Sequence, residues 1–280
     1  MKKFAISVIK PENFIHYRVF DEVAASLDFA FRKLNLDSII TDDLFLSDRQ
    51  YIILGANLLR VCPKIRIKED SIIYQLERED SVEQFDKFYI DLLNKFKVWD
   101  YSSINMERIN KRYNLNINDV LPLGYTKELN IINHSKKKDI DVLFVGSLSS
   151  RRKKIISDMV NNNLNAIALY NYYGKQRDDY IARSKIMLNM HFHGSGLLEH
   201  PRIFYYIHNN CFVLSEVSNS DDENNFFSSV LYLTKYEDIL SKVFDVLNGK
   251  INIHKYEINI KKFLQDKPQE LYLLERIKNL

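Results

Sequence analysis

The sequence has few of the features that mark secreted or membrane-spanning proteins. Only two of its 280 residues are cysteine, Cys62 and Cys211, and they stand far apart with no CxxC motif. This usage is typical of a reducing compartment, where thiols act as small apolar side chains. No window approaches the roughly 20 apolar residues that span a bilayer. The N-terminal apolar run, within MKKFAISVIKPENF, is too short for a signal peptide and predicts a first β-strand, so we expect a soluble, cytoplasmic protein.

The sequence also lacks a dominant charge. It has 40 Lys and Arg against 37 Asp and Glu, a formal net charge of +3. That value is far from the strong positive field of a DNA- or RNA-binding domain, so no nucleic-acid partner is expected. The 46% hydrophobic and 12% aromatic content is ample for packed cores. The length suits two domains of ordinary size or one large one.

Short runs rich in Ile and Val alternate with helical stretches along the chain. The runs are apolar at successive positions, which is typical of strands covered on both faces in a parallel sheet. Between them, stretches such as Tyr17–Leu34 place apolar residues at three- and four-residue spacings, as amphipathic helices do. The alternation predicts an α/β fold. Strands are expected at Phe4–Ile9, Ser38–Thr41, Tyr51–Leu54, Ile72–Gln75, Lys97–Trp99, Asp119–Pro122, Val142–Val145, Ala166–Leu169, Ile186–Met190, Cys211–Leu214 and Val230–Leu233.

The polar segment Tyr125–Lys138 separates two such series and predicts an interdomain linker. We therefore expect two Rossmann-like, doubly wound domains that face a cleft and bind ligands at the carboxyl ends of their strands. The expected boundaries are 1–125 for the N-terminal domain, 126–139 for the linker, 140–250 for the C-terminal domain, and 251–280 for C-terminal helices that pack back toward the N-terminal domain.

Two strand-to-helix junctions in the second series combine small residues with positive charge. DVLFVGSLSSRRKKII passes from a predicted strand through a Gly-Ser turn into a basic helix. SGLLEHPRIFYYIHNNCFVLSE opens at a Gly-Ser-Gly turn and carries Glu199 and Arg202 on its first helical turn. Backbone N–H groups at a helix start can bond anionic oxygens, and the helix dipole favours negative charge there. The junctions predict a site for a phosphorylated ligand.

Three segments resemble the GT-B family of nucleotide-sugar glycosyltransferases, and they are most similar to its spore-maturation glycosyltransferase-like (glycosyl transferases group 1) branch. KVWDYSSINMERI (97–109) with DVLPLGYTKEL (119–129) resembles the end of a GT-B N-terminal domain. DIDVLFVGSLSSRRKKI (139–155) resembles the first strand and phosphate-side loop of the donor domain. SKIMLNMHFHGSGLLEHPRIFYYIHNNCFVLSE (184–216) resembles the unit that holds the donor nucleotide. The first 95 residues are similar only in their α/β pattern.

This resemblance implies a hexosyltransferase-type enzyme of polysaccharide biosynthesis that needs no cofactor. It would move a sugar from a nucleoside diphosphate sugar, bound by the C-terminal domain, to a hydroxyl of a glycan, lipid-linked or protein acceptor on the N-terminal side. The matching positions place the donor diphosphate near Gly146, Ser147 and Arg151 or Arg152, and the donor ribose at Glu199. Arg202 lies on the same helix face as Glu199. The further donor contacts implied are His193, Gly194, Ser195, Gly196 and Leu197.

Two features bear on the chemistry of the transfer. Many retaining members carry two glutamates eight positions apart, but Glu199 is followed at that spacing by Ile207, so retaining and inverting outcomes both stay open. His16 and Asp42, each after a predicted strand, are the candidate catalytic residues on the acceptor side. Asp43, Glu77 and Glu79 are placed equally well as alternatives.

Two further patterns concern a metal site and a membrane surface. His191 and His193 form an HxH at the end of a predicted strand, where alternation would put both on one face, but no cysteine or acid completes a ligand set with His200, so no metal is expected. Lys136–Lys138 is either solvated linker or a basic patch for peripheral membrane association. A non-catalytic nucleotide- or sugar-binding protein and a nucleotide-sugar epimerase remain the alternative functions.

Overall fold

The computed structural model describes residues 2–194, 196–278 and 280, and it divides into two compact units. Unit 1 consists of Met1–Glu128 together with Lys267–Leu280, and unit 2 consists of Leu129–Asp266. In both units the strands alternate with helices, as the sequence pattern predicts. No helix within the described ranges is both long enough and apolar enough to cross a bilayer.

Unit 1 is built on a six-stranded parallel sheet with the order β2-β1-β3-β4-β5-β6. The register pairs Ile6 with Ile40 on one side and with Ile52 on the other. Its elements are β1 (Lys3–Val8), α1 (Asp21–Lys33), β2 (Asp37–Ile40), β3 (Gln50–Leu54), β4 (Ile72–Gln75), α2 (Lys87–Lys95), β5 (Lys97–Asp100), α3 (Ser103–Tyr113), β6 (Asp119–Val120) and, from the end of the chain, α10 (Gln269–Ile277), with 3-10 turns at Ile15–Phe20, Ala56–Val61, Val82–Gln84 and Lys127–Leu129. The predicted helix Tyr17–Leu34 is therefore a 3-10 turn followed by α1.

The end of the chain is tied into unit 1 through Gln269 at the start of α10. Its buried side chain accepts a hydrogen bond from the Gly124 N–H (2.6 Å), and its own N–H donates to the Tyr125 carbonyl (2.9 Å). A side chain at Gly124 would lie 2.8 Å from the Gln269 Cα, so this approach needs glycine. The expected C-terminal segment 251–280 is thus divided, because α10 belongs to unit 1 while the helix before it, Ile253–Gln265, belongs to unit 2.

Unit 2 is built on a five-stranded parallel sheet with the order β11-β10-β9-β7-β8. Its elements are β7 (Ile140–Val145), α4 (Ser150–Asn161), β8 (Ala166–Leu169), α5 (Lys175–Ala182), β9 (Ser184–Asn189), α6 (His200–His208), β10 (Val213–Glu216), α7 (Asp221–Phe227), β11 (Leu231–Thr234), α8 (Ile239–Leu247) and α9 (Ile253–Gln265), with a 3-10 turn at Tyr236–Asp238. Phe144, Leu188 and Leu214 of three neighbouring strands share one core with Met159 of α4 and Val243 of α8.

Much of the expected linker 126–139 packs on unit 2. Leu129 and Ile132 are buried, and the N–H groups of Ile131 and Ile132 donate to the Asn209 side chain at 2.9 and 3.0 Å. The His134 ring also bonds the Asn209 carbonyl at 2.6 Å. These contacts explain how a polar segment packs on unit 2. Its polar groups are hydrogen-bonded to Asn209, which lies 75 to 78 positions farther along the chain.

A buried carboxyl lies at the carboxyl end of β5 in the unit 1 sheet. Asp100, the last residue of β5, is fully buried and accepts hydrogen bonds from the Ser102 N–H, the Gln75 amide and the Asn105 amide at 2.8–2.9 Å. Burial raises the pKa of this carboxyl to about 7, because the three donors offset the loss of water only in part. The folded chain therefore holds this proton at pH values where the unfolded chain, with an ordinary aspartate pKa near 3.9, has released it.

The stability of the protein should depend on this proton. Since the folded pKa is raised, the contribution is complete below about pH 4 and is lost as the pH rises through about 7. Between pH 5 and 7, we expect the free energy of unfolding of the wild type to fall relative to Asp100→Asn by about 1 kcal/mol per pH unit. Urea unfolding of both proteins across this range measures the difference between their free energies of unfolding. The titration of the other carboxyls contributes equally to both proteins and cancels in this difference. Parallel stability curves would contradict the assignment.

Candidate functional site

The carboxyl edge of the unit 2 sheet has a topological switch point between β7 and β9. The chain leaves β7 toward β8 on one side, whereas β9, β10 and β11 follow on the other. The loop after β7 (146–149) and the loop after β9 (190–199) lie at this point, and each leads into a helix, α4 or α6. Ligands of open α/β sheets bind in the crevice that such divergent connections leave outside the strand ends.

Arg202, on the first turn of α6, brings a positive charge to this edge. Its guanidinium is half-buried, donates to the Asn189 side chain at the end of β9 (3.0 Å) and lies over the Phe144 ring of β7 (5.4 Å). No carboxylate of the described residues lies within ion-pair distance of it. Asn189 is fully buried and donates to the Ser215 hydroxyl (2.9 Å), so the acceptor that holds Arg202 is itself fixed. A guanidinium held by a neutral partner keeps donors for an anion.

Gly146, the first residue after β7, lets this guanidinium lie against the backbone. Its φ of +146° is a conformation that L side chains rarely adopt, and an added Cβ would stand 2.9 Å from Arg202 Nη2. Farther along the loop, Ser147 is exposed, and the Ser149 hydroxyl at the N-cap of α4 has no hydrogen-bond partner in the described part of the chain. The first turn of α4 is therefore not capped by this side chain.

The two arginines that follow this loop are bonded inside unit 2. Arg151 makes a two-point ion pair with buried Glu216 (2.6 and 2.8 Å) and stacks on the Tyr236 ring at 4.0 Å. Arg152 is 2% exposed, donates to the carbonyls of Ser147, Met190 and His191, and stacks between the rings of Phe144 and Phe192. The Arg151 guanidinium also donates to the His191 carbonyl (2.8 Å), so both side chains hold the loop after β9. The resemblance predicts them instead as contacts of the donor diphosphate.

The expected HxH arrangement does not form. The strand β9 ends at Asn189, so His191 and His193 lie in a loop, where strand alternation does not apply. His191 is fully buried and bonds the Val217 carbonyl (2.8 Å), whereas His193 is exposed. His200 bonds the Glu223 carboxylate at 2.6 Å. Within residues 2–194, 196–278 and 280, no group of three His, Cys, Asp or Glu side chains could hold a metal ion.

The start of α6 is fixed by a buried acid. Burial opposes ionisation of Glu223, but hydrogen bonds from His200 and the Leu198 N–H lower the pKa of its carboxyl below the usual value. Glu199 occupies the N-cap position with its side chain 25% exposed, and its carboxylate stands 4.0 Å from the Arg152 guanidinium. Glu199 and Arg202 thus share one helix turn at the switch point.

The remaining predicted contacts of this loop differ in exposure. Gly194 is exposed, while Gly196 and Leu197 are buried, and the Gly196 carbonyl accepts from the Asn219 N–H (3.0 Å). The predicted contact at Ser195 lies outside the described residues.

The candidate catalytic residues of unit 1 each contact one residue in the wall of a pocket. The pocket lies at the β1/β3 switch point and is lined by the segments after β1 and β3. His16, in the 3-10 turn after β1, lies edge-on to the Phe14 ring of the pocket wall at 5.2 Å. Asp42, after β2, is exposed and pairs with Lys10 of the pocket wall at 2.6 Å. The structure therefore puts both candidates beside one cavity.

Sequence reasoning missed Asn189, Phe144 and Glu216 as parts of the unit 2 site. An asparagine inside the apolar strand IMLNM is a signal that could have been used, because a polar side chain buried in a strand needs a partner. The sequence does not mark Phe144 as part of the site, because an aromatic residue in a buried strand is an ordinary core residue. Glu216 is paired with an arginine 65 positions away, a contact that no local pattern shows.

Curated relatives of the sequence occur in Acanthamoeba polyphaga mimivirus. Protein L138 is 28% identical over 183 residues and protein R358 is 29% identical over 163 residues, which is 62% and 56% of this chain. The matches span 20% of L138 and 55% of R358. No family model matches the sequence.

Solved structures resemble the chain over nearly its whole length. HepE from Anabaena, in complex with UDP and glucose, has a TM-score of 0.64 at 10% identity, and the match covers 100% of both chains. The T4 phage β-glucosyltransferase has a TM-score of 0.56 at 14% identity over 99% of this chain and 95% of its own. A glycosyltransferase from Rickettsia africae has a TM-score of 0.53 at 9% identity, covering 99% and 98%.

The chain has the GT-B fold. The prediction of two Rossmann-like, doubly wound α/β domains is confirmed by the two parallel sheets and by these neighbours. At identities of 9–14% the likeness establishes the fold, and the chemistry has to be argued from the chain's own residues.

Replacing Gly146 tests whether this residue and Arg202 are coupled in the free energy of unfolding. In Gly146→Ala, the new methyl group forces the Arg202 guanidinium away from Asn189, and the positive φ adds strain, so unfolding should become easier by about 1–3 kcal/mol. In an Arg202→Ala background the same change should cost about 1 kcal/mol less, because the bond to Asn189 is already gone. Urea unfolding of the two single variants and the double variant measures this coupling. Strict additivity would show that the two residues are independent.

Proposed function

We propose that this GT-B chain is a glycosyltransferase that moves a sugar from a nucleoside diphosphate sugar to an acceptor hydroxyl. The observation that carries the proposal is the Arg202 guanidinium, held against Gly146 at the unit 2 switch point with no carboxylate partner among the described residues. A charge held in this way suits an anionic ligand, and a diphosphate also reaches the backbone N–H groups at the start of α4.

In the proposed transfer, unit 2 must stabilise the negative charge that develops on the departing diphosphate. Arg202 and the N–H groups that follow Gly146 and Ser147 can do so without a cofactor and without a metal bound by protein side chains. Arg151 and Arg152 would contribute by fixing the loops, and Arg152 adds positive potential next to Glu199. Glu199 would accept hydrogen bonds from the donor ribose, and His193, Gly194, Ser195, Gly196 and Leu197 would complete the donor side.

The neighbours support the choice of donor. HepE was solved with UDP and glucose, and the T4 enzyme, which resembles this chain with a TM-score of 0.55 over 95% of each chain, was solved with its UDP-glucose substrate. UDP is therefore the nucleotide with which to begin. We further propose a hexosyltransferase of polysaccharide biosynthesis from the spore-maturation-like branch, located in the cytoplasm with peripheral membrane association. The acceptor would be a glycan, a lipid-linked or a protein hydroxyl.

Acceptor activation is assigned to unit 1. His16 and Asp42 are the proposed catalytic residues, and both lie beside the pocket at the β1/β3 switch point. The Asp42 carboxylate is already bonded by Lys10 at 2.6 Å. His16 is therefore the better candidate for accepting the acceptor's proton.

The donor assignment predicts a selective effect of Arg202→Ala. UDP should bind about 1.5–3 kcal/mol more weakly to the variant, the scale of a charged hydrogen bond, while uridine affinity should change much less. Isothermal titration with both ligands measures the two changes. Arg183→Ala is the matched control, because this exposed arginine pairs with Asp139 at the opposite edge of the same sheet. Equal losses for UDP and uridine, or no loss of UDP affinity in the folded variant, would refute the assignment.

Glu199→Gln should act on donor binding and leave the proton transfer intact. If the carboxylate holds the ribose, the variant should raise the donor KM more than it lowers kcat, and a 2′-deoxy donor should lose its disadvantage. The basic limb of the pH–rate profile should stay in place. A variant with normal donor affinity and no turnover would make Glu199 part of the chemistry instead.

Turnover itself separates an enzyme from a binding protein of the same fold. Incubated with UDP-glucose and no acceptor, a glycosyltransferase should release UDP slowly, and the release should be at least tenfold slower in Arg202→Ala. A protein that binds UDP tightly and releases none from any UDP-sugar in a panel would be a non-catalytic nucleotide-binding protein.

A further inference from the structure

The pocket of unit 1 has the size of a small-molecule site. Its volume is about 760 Å³, within the roughly 300–1,000 Å³ of ligand pockets. It lies where β1 and β3 diverge, at the carboxyl ends of the strands, and the segments 10–14 and 58–65 form most of its wall. All of its lining residues belong to unit 1.

Several apolar side chains in the wall of this pocket are exposed to solvent. Phe14 and Val61 line it with 38% and 60% of their surface exposed, and Pro11, Pro63 and Ile65 extend the apolar surface between them. Exposed apolar side chains are ordinary when they are scattered, but several around one concave surface indicate a ligand with an apolar part.

The charge of the pocket is positive. Lys10, Arg60 and Lys64 line it, against Glu12 as the single acid among its described lining residues. Lys10 pairs with Asp42, and Arg60 lies 3.5 Å from Asp86 and bonds Gln84. For Lys64, no carboxylate of the described residues is within ion-pair distance. The pocket therefore offers a lysine whose charge is not neutralised by the protein.

We propose that this pocket binds the acceptor as an amphipathic anion, a hydroxyl compound that also carries an alkyl chain and a phosphate, with the alkyl part against Phe14 and Val61 and the phosphate beside Lys64. The role as acceptor rests on the proposed glycosyl transfer, whereas the preference for an alkyl phosphate rests on the unit 1 residues alone. His16 and Asp42 beside the pocket would then meet the hydroxyl of the bound acceptor. Neither inorganic phosphate nor a neutral alcohol combines both features.

Cys62 provides a direct reporter of occupancy, because it lines the pocket and is partly exposed. The second cysteine, Cys211, is buried, and burial raises the pKa of its thiol to about 12, so it reacts negligibly with alkylating reagents. Burial also raises the pKa of the Cys62 thiol, so alkylation is best followed near pH 8.5. Mass spectrometry of the intact chain then gives the rate of modification at one site.

The experiment compares three probes for their power to slow alkylation of Cys62: hexyl phosphate, hexanol and inorganic phosphate. Saturating hexyl phosphate should slow the modification at least threefold, at concentrations where the other two have little effect. Across ethyl to octyl phosphate, each added methylene should lower the half-protecting concentration roughly two- to fourfold, as expected for alkyl burial.

Lys64→Gln tests the charge with little risk to folding, since Lys64 is exposed. The variant should need about three- to tenfold more hexyl phosphate for the same protection. Lys111→Gln, an exposed lysine of α3 outside the pocket lining, should behave as the wild type. Equal protection by hexanol, protection by inorganic phosphate alone, or no protection by any probe would overturn the proposal.

The result also separates this proposal from the proposed function. If hexyl phosphate protects Cys62 in the predicted way but UDP-sugars release no UDP, the pocket preference stands and the glycosyl transfer fails. If UDP is released while Cys62 remains unprotected, the transferase stands and its acceptor has a different chemistry.

Discussion

The unit 2 site depends on the burial of one guanidinium. Arg152 is 2% exposed and joins the start of α4 to the loop after β9 through the carbonyls of Ser147, Met190 and His191. A charge buried so deeply is tolerated because it donates to three carbonyls and because two aromatic rings and the Glu199 carboxylate lie near it. Since the loops after β7 and β9 form the two sides of the switch point, this side chain sets the shape of the crevice.

Of the three arginines described at this edge of the unit 2 sheet, one has no carboxylate partner among the described residues. Arg151 is neutralised by Glu216, and Arg152 is committed to backbone carbonyls, so the guanidinium that remains for an anion is that of Arg202. Phe144 supports Arg152 and Arg202 alike, and Gly146 supplies the space that Arg202 occupies. A site fixed in advance by such contacts need not reorganise as charge develops on a leaving group, which is the condition for electrostatic catalysis.

The sequence predicted the sheets well and the site incompletely, for a physical reason. Buried parallel strands such as Ile72–Gln75 are continuous apolar runs, so local pattern located them within one or two residues. The helix Asp221–Phe227 was missed because its seven residues are too few for an apolar period, although three acids in its first turn mark its start. The sequence marks the charged residues of these loops as candidates. Their division into Arg151 and Arg152, which hold loops, and Arg202, which has no carboxylate partner, depends on partners 13 to 65 positions away.

A crystal structure of the protein with UDP tests the central claim most directly. We predict that the diphosphate lies at the unit 2 switch point, with its oxygens at hydrogen-bond distance, about 2.7–3.0 Å, from the Arg202 guanidinium and from backbone N–H groups between Ser147 and the start of α4. Arg152 should keep its three carbonyl partners. A diphosphate bound elsewhere, with Arg202 bonded only to Asn189 as it is now, would contradict the account.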